Sequence, residues 1–309
     1  MKTFINFFKD LWLNRGTVKN SQNFFYKFLR VLVTSIRDFI NDNGFDKAST
    51  LTFYSLLSII PLIAIGFGIA QALGIAEKFS EQVQAQFSNQ PQIAEKIIQF
   101  SNATLNTTRG GVIASFGLIV LVWTVFRTIG NIASSFDEIW KVKKLPTFWQ
   151  QVKRYVPMIF LFPIFLVGSS SIIIYVFTQA TLASESIVYL HFLGPFFHIL
   201  IQLIPFFLNW GMFSFLYIYL PNTKVLWKAG IIAGMITTIL YLFWQWIYVT
   251  FQLNAGSYGT IYGSFAAVPL FLIWLNYSWY IVLFGAELST HIQKEIELKE
   301  HLENVKVDN

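Results

Sequence analysis

The sequence predicts an all-α polytopic membrane protein, a bundle of six transmembrane helices preceded by an amphipathic interfacial helix. Three observations carry that expectation. Hydrophobic residues fill 55% of the 309 positions and charged residues only 12%, with a mean hydropathy of +0.54, far from the usage of a soluble domain. The apolar residues gather in runs long enough to cross a bilayer: from Phe265 to Gly285 there is no charged side chain, and at 1.5 Å per residue that is about 30 Å of helix, the thickness of the hydrocarbon core. The basic residues, finally, fall almost entirely on one side of these runs.

In chain order, residues 1–48 form a segment expected on the cytoplasmic side, without the apolar core and cleavage pattern of a secretory signal, so the N-terminus is expected to be retained. Within it, over about 23–43, Phe25, Phe28, Leu29, Leu32, Ile36, Phe39 and Ile40 recur at helical spacing opposite Lys27, Arg30, Thr34 and Arg37. This predicts a helix with a basic face that lies on an anionic leaflet or packs against the cytoplasmic ends of the bundle. Asn43-Gly44 is a turn signal.

The membrane domain is expected over 49–290, with spans at about 49–76, 111–135, 155–180, 194–220, 226–251 and 264–290. The first contains Pro61, Gly66 and Gly68: the proline removes a backbone hydrogen bond and the glycines permit close approach, predicting a kinked, tightly packed helix. A polar, Gln- and Asn-rich loop at 77–110 follows. The second span holds Arg127 and Asn131, four apart and so on one face. The fifth opens with Gly230 and Gly234, a close-packing pattern, and carries Gln245. The sixth has Pro269 near its start, Asn276 within it and Glu287 near its end, before a short tail at 291–309. No convincing internal repeat is visible.

Eighteen basic residues fall in the segments on one side of these spans against three on the other. The positive-inside bias then places both termini on the cytoplasmic side. The net charge of +6 belongs to these membrane-facing loops and is weak evidence for a nucleic-acid partner. Cysteine is absent, which excludes disulfides and thiolate chemistry. No Walker motif is present, the four histidines lack the spacing of a zinc motif, and Asp137 and Glu138, being adjacent, point about 100° apart on a helix. Neither a metal nor a cofactor is expected.

The residues that invite a site are the polar ones inside the spans. A charged side chain at mid-membrane costs about 2.5–3.5 kcal/mol on insertion scales, so it normally faces a partner or a polar cavity. Arg127 suits an acidic headgroup or carboxylate because its planar fork matches those groups; it can also snorkel to the inner headgroups. Glu287 is its candidate counter-charge. Asn131, Gln245 and Asn276 can line such a site or simply bond between helices. The uncharged loop holding Tyr262 and Gly263 reads as a re-entrant or gating turn, with Pro61, Gly66, Gly68 and Pro269 as further packing or gating positions.

The order and spacing of several short motifs carry a resemblance. Ala48-x-x-Leu51-x-Phe53-Tyr54-x-Leu56-Leu57-Ser58-x-x-Pro61 opens the first span; Phe136-Asp137-Glu138-Ile139-Trp140 follows the second and Leu220-Pro221-Asn222 precedes the fifth. Tyr262-Gly263-Ser264 and Leu283-x-Gly285-Ala286-Glu287-Leu288 bracket the sixth. Over about residues 30–292 the chain thus resembles the bacterial YihY/BrkB family. The resemblance implies a six-helix inner-membrane protein; members have been labelled ribonuclease BN, and the family carries a virulence and serum-resistance label. It departs at Ala48-Ser49-Thr50-Leu51-Thr52, which is more polar than the family's alanine-rich opening, and in the short C-terminal tail.

The function expected is transport or flipping of an anionic lipid or amphiphile, with Arg127 on the acidic group and Glu287 as its partner or as a proton-coupling carboxylate. A non-transporting scaffold for envelope assembly is the alternative, with 77–110 as partner surface. A tRNA-processing nuclease is a third, disfavoured because convergent carboxylates are missing. Membrane lipids are expected partners; the small-residue faces of the first and fifth spans serve intramolecular packing or a second copy, and an envelope protein is a further candidate partner.

Overall fold

A computed structural model of the chain describes residues 24–72, 112–144, 146–159, 194–255 and 267–307, with a few single positions between 74 and 99. Tyr262, Gly263, most of the polar loop at 77–110 and most of the third predicted span lie outside the described residues. Six long helices are described: α1 Phe24–Asn41, α2 Gly44–Ala72, α3 Val112–Ile139, α4 Gly194–Tyr219, α5 Trp227–Ala255 and α6 Ala267–Val307. A further helical segment lies at 148–159, and no strand occurs among the described residues. The fold class is all-α.

Two stretches are long and apolar enough to cross a membrane, Trp227–Phe251 and Pro269–His301; Gly44–Ile59 and Pro61–Gly68, which meet at 50°, make a third if taken together. Proline explains that bend, since its ring removes a backbone donor and presses on the preceding turn. α6 does not stop at the end of its apolar run. It continues as helix to Val307, so the predicted tail begins as an extension of the last span.

The chain divides into two compact units. The first comprises Met1–Thr52, Ala133–Leu145 and Asn209–Asn309, the second Phe53–Ile132 and Pro146–Leu208, so α2, α3 and α4 each contribute to both.

In the first unit α6 is the central element, packed against α5 and α1. α5 approaches α4 closely because Gly230 and Gly234 have no side chain there: a Cβ at 230 would collide with Ile218, and one at 234 would collide with the Ser214 hydroxyl and stand 2.8 Å from its backbone nitrogen. α6 makes the same kind of approach at Gly285, where a Cβ would meet the Tyr217 and Thr237 hydroxyls. Two buried aromatics stack at the centre, Phe136 on Tyr217 with centroids 6.0 Å apart.

α1 ends at Asn43, whose positive φ of 55° reverses the chain into α2. Gly44 is needed next because the Phe39 ring occupies the space of a Cβ. α1 buries the row Val31, Ser35 and Phe39, while Phe28, Ile36 and Ile40 are 41–44% exposed. Both of its arginines are paired. Arg30 pairs with Glu295 on α6, and Arg37 donates to Asp38 at 2.8 Å.

In the second unit, Phe126 of α3 meets Tyr155 edge-on at 5.1 Å, and Gly130 leaves ordinary van der Waals room for the same ring. Thr128 donates to the Tyr54 carbonyl of α2 at 3.4 Å.

Candidate functional site

From Gly285 to Ile292 every residue of α6 is buried, because the helix here passes through the middle of the first unit rather than along its surface. A helix buried all round is usually apolar all round. This one carries Glu287, Ser289, Thr290 and His291 instead. Thr290 satisfies its hydroxyl on the Glu287 carbonyl at 2.8 Å. Glu287, only 2% exposed, has one carboxylate oxygen, Oε1, without a hydrogen-bond partner among the described residues, and the Ser35 and Ser289 hydroxyls are in the same position. Buried polar atoms of this kind are rare in folded proteins and call for an explanation.

Four charged side chains act on Glu287: Asp42 and Asp38 of α1 and its end, Lys47 of α2, and Lys141 just after α3. Each has its own counter-ion. Lys47 Nζ lies 3.0 Å from Glu138 Oε2, Lys141 Nζ 3.9 Å from Asp42 Oδ2, and Arg37 Nη2 2.8 Å from Asp38 Oδ1, with the His291 ring 3.1 Å from the other Asp38 oxygen. Two left-handed residues, Asn43 and Lys141 with φ of 55° and 52°, terminate α1 and α3 and bring Asp42 and Lys141 together. Burial pushes the Asp38 carboxyl up, but the Arg37 hydrogen bond and charge, with His291 and Lys141, outweigh it and hold Asp38 below the usual aspartate value.

Polar clamps from α6 and α3 close the same end of the unit. Gln293 accepts the Leu226 N–H at 2.8 Å through Oε1 and donates from Nε2 to the Lys224 carbonyl at 3.3 Å, fixing the turn that leads into α5. Asp137 Oδ1 accepts the Asn222 N–H at 2.6 Å. The two carboxylates once weighed as metal ligands are therefore committed separately, Asp137 to a backbone turn and Glu138 to Lys47.

The sequence-predicted residues fall as follows. Glu287 is at the centre of the buried polar cluster. Asn276, about three turns earlier on α6, bonds across to the start of α2, donating to Thr52 Oγ1 at 3.2 Å and Ser49 Oγ at 3.4 Å; this is the interhelical role. Gln245 is exposed on α5, and Pro269 is exposed in the first turn of α6, where a missing N–H costs nothing. Pro61 and Gly66 are buried in α2 and Gly68 is half-buried. Arg127 belongs to the second unit, exposed, with its guanidinium carbon 5.9 Å from the Trp123 ring centroid one turn back; Asn131 is half-buried one turn on.

The arrangement of these motifs decides the family. The model of the virulence factor BrkB family matches residues 35–308, nearly all of the chain that carries the helices just described. The chain belongs to the BrkB family. Among curated relatives it is 30% identical to a UPF0761 membrane protein of Paraburkholderia xenovorans over 79% of this chain and 55% of that one. It is 29% identical to one of Legionella pneumophila over 86% and 62%, and 25% identical to one of Actinobacillus pleuropneumoniae over 82% and 90%. The chain thus spans little more than half the length of the first two relatives and most of the third. No solved structure matches it. In BrkB terms, the Phe136-Asp137-Glu138 and Leu220-Pro221-Asn222 motifs meet through the Asp137–Asn222 bond, and the Gly285-Ala286-Glu287 motif supplies both the close helix approach and the buried carboxylate.

Sequence reasoning missed Asp38, Asp42, His291, Gln293 and Tyr217. Asp38 and Asp42 sit in a stretch whose basic residues draw the eye, and Gln293 lies just past the apolar run. Tyr217 had a weak signal, a single hydroxyl inside an otherwise apolar segment.

Proposed function

We propose that this BrkB-family membrane protein carries an anionic lipid or amphiphile across the bacterial inner membrane, and that Glu287 is the carboxylate that couples the movement to protons. The single observation behind this reading is Glu287 itself: a 98%-buried acid, from its 2% exposure, on a helix long and apolar enough to span the membrane, with Oε1 unbonded among the described residues. Intramembrane acids that are not neutralised by a tight ion pair are the usual proton carriers of transport proteins.

In the proposed mechanism Glu287 takes a proton from the side of the membrane where Asp42, Lys47 and Lys141 stand, and gives it up when the packing around α6 changes. The Gly285 contact with Tyr217 and Thr237 and the Gly234 contact with Ser214 are the packed surfaces that such a change would alter, since close-packed interfaces switch between discrete arrangements. Arg127 is the proposed contact for the acidic group of the cargo: its side chain is exposed, with the guanidinium carbon 5.9 Å from the Trp123 ring centroid, and its planar fork matches an acidic group. Six spans, an interfacial α1 and cytoplasmic termini complete the reading.

The experiment is a reconstitution. Fluorescent phosphatidylglycerol is incorporated into proteoliposomes, and its transfer between leaflets is followed by chemical quenching of the outer leaflet. Wild type should accelerate transfer over empty vesicles. Glu287→Gln and Arg127→Ala should each reduce it at least tenfold. Transfer by both variants at the wild-type rate would end the assignment of these residues.

A further inference from the structure

A series of titratable side chains leads from the buried Glu287 to the surface of the first unit. His291 stands one turn after Glu287 on the same face of α6, where residues four apart have Cβ atoms about 5–6 Å from each other. The His291 ring meets Asp38 of α1, Nε2 to Oδ2 at 3.1 Å. The Asp42 N–H donates to the Asp38 carbonyl at 2.8 Å, so the last turn of α1 sets Asp42 beside Asp38, and Lys141 ends the series 3.9 Å from Asp42 Oδ2. Exposure rises at every step. Glu287 is 2% exposed, and the side chains of His291, Asp38, Asp42 and Lys141 are 10%, 15%, 25% and 66% exposed.

The proton-binding atoms along this series are near one another but uncommitted. His291 Nε2, Glu287 Oε1 and Asp42 Oδ2 each lack a hydrogen bond among the described residues, whereas buried polar atoms are normally tied into fixed bonds. Asp38 differs. Its other oxygen, Oδ1, is held by Arg37 through Nε and Nη2, both at 2.8 Å, which keeps the carboxylate ionised and Oδ2 turned to the ring. A fixed carboxylate beside an imidazole orients it and stabilises its protonated form, the setting in which histidine passes protons on. The other charges at this end are Lys294 on α6 and Arg37 on α1, which act on His291, and Lys47 and Lys141, which act on Glu287. Glu138 of α3 is occupied by Lys47.

We propose that His291 is the relay that carries protons between solvent at Asp42 and the carboxylate of Glu287, with Asp38 as its positioning residue. The inference rests on the reading of Glu287 as a proton-coupling acid and names the route by which that acid is reached. In one transfer Nε2 of the neutral ring takes a proton from solvent hydronium, giving an imidazolium paired with Asp38. The Nδ1–H bond then breaks and its proton passes, directly or through one water, to Glu287 Oε1. The ring is left neutral with its hydrogen on Nε2 and resets by turning over. Only N–H and O–H bonds form and break.

The test is time-resolved infrared difference spectroscopy on the whole protein in vesicles of phosphatidylcholine and phosphatidylglycerol, after a jump to an acidic pH that saturates the signal. The protonated-carboxyl band that Glu287→Gln removes reports on Glu287 alone. His291→Ala should slow the rise of this band at least tenfold, and added imidazole should restore the rate. Asp38→Asn should slow it several-fold, while His301→Gln, at an exposed position of the same helix, leaves it unchanged. Rescue by imidazole separates a relay from a packing role, because the free base replaces proton transfer and not the lost contacts. If His291→Ala does not elute as folded protein, His291→Gln takes its place, and ring-labelled histidine in wild type shows the transient imidazolium without any substitution. A wild-type rate in the His291 variants, slowing that imidazole does not relieve, or a band that rises with no transient imidazolium would each overturn the relay. A wild type with no band that Glu287→Gln removes sinks the proton reading of Glu287 and the relay with it. A His291-dependent band without leaflet transfer of phosphatidylglycerol sinks the amphiphile reading alone and supports the relay.

Discussion

The Tyr217 hydroxyl donates to the carbonyl oxygen of Val282 at 3.0 Å, joining α4 to α6 at a carbonyl one turn before Gly285. The Tyr217 hydroxyl oxygen also lies 3.0 Å from the Thr237 hydroxyl of α5, so three helices meet at the tyrosine hydroxyl. Gly285 lies beneath it with no room for a side chain.

Gly285→Ala should therefore be destabilising although alanine is the better helix former. Overpacking of a tight interior costs about 1–3 kcal/mol, more than the roughly 1 kcal/mol that glycine-to-alanine exchange returns in a helix. The expected result is a lower midpoint in thermal unfolding followed by gel filtration of detergent-solubilised protein, with partial recovery in Gly285→Ala combined with Tyr217→Phe. A midpoint equal to or above wild type for Gly285→Ala alone would contradict this packing.

Asp137→Ala should reduce stability in the absence of any nucleic acid, because it strips the Asn222 N–H of a charged acceptor at 2.6 Å. Hydrogen bonds to charged groups contribute about 1.5–3 kcal/mol. Asp137→Asn, which keeps an acceptor oxygen, should lose less. Equal stability of all three proteins would remove the structural role assigned to this motif.

Arg30 and Glu295 join α1 to the extension of α6. Both side chains are about a quarter exposed, 26% and 22%, so the pair contributes only about 0.5–1 kcal/mol after screening. Arg30→Glu should raise the rate at which protease cuts within 24–41, and Arg30→Glu with Glu295→Arg should restore it. The chain has no cysteine, so Arg30→Cys with Glu295→Cys offers an unambiguous cross-link as a second readout. If the reversed pair is cut as fast as the single variant, the two residues do not meet.

Asp38 predicts a pH dependence of definite sign. Its carboxyl is held below the ordinary aspartate value of 3.8 in the folded chain, so folding favours the ionised form. The stabilisation is complete above that value and is lost as the pH falls below it, through the folded-state titration. Wild type should lose stability over this acidic range more steeply than Asp38→Asn, and the two profiles should run parallel at higher pH. A difference that grows instead as the pH rises above 5 would contradict the sign.

How far the sequence carries the fold can be judged element by element. A helix covers Phe24–Asn41, where apolar spacing and the Asn43-Gly44 turn act locally, while its place at the membrane interface remains part of the proposal. Gly230 and Gly234 mark a close approach, since only the lack of a side chain makes such an approach feasible. Burial was less legible. Arg127 and Glu287 look alike in sequence, each a charge within an apolar run, yet Arg127 is exposed beside Trp123 and Glu287 is enclosed. That distinction depends on which helices surround each position, and no local pattern encodes it. The acidic partners Asp38 and Asp42 reach the cluster around Glu287 only because α1 folds back along α6.

The central claim is that Glu287 couples proton movement to an anionic amphiphile. The most direct measurement loads proteoliposomes with a pH-sensitive dye and adds lysophosphatidylglycerol outside, comparing wild type with Glu287→Gln after both elute as folded protein. The account predicts a change in luminal pH that requires both the amphiphile and wild-type protein and that falls to the empty-vesicle level in Glu287→Gln. A luminal pH response of the same size in Glu287→Gln, or amphiphile uptake by wild type with no proton movement, would contradict it.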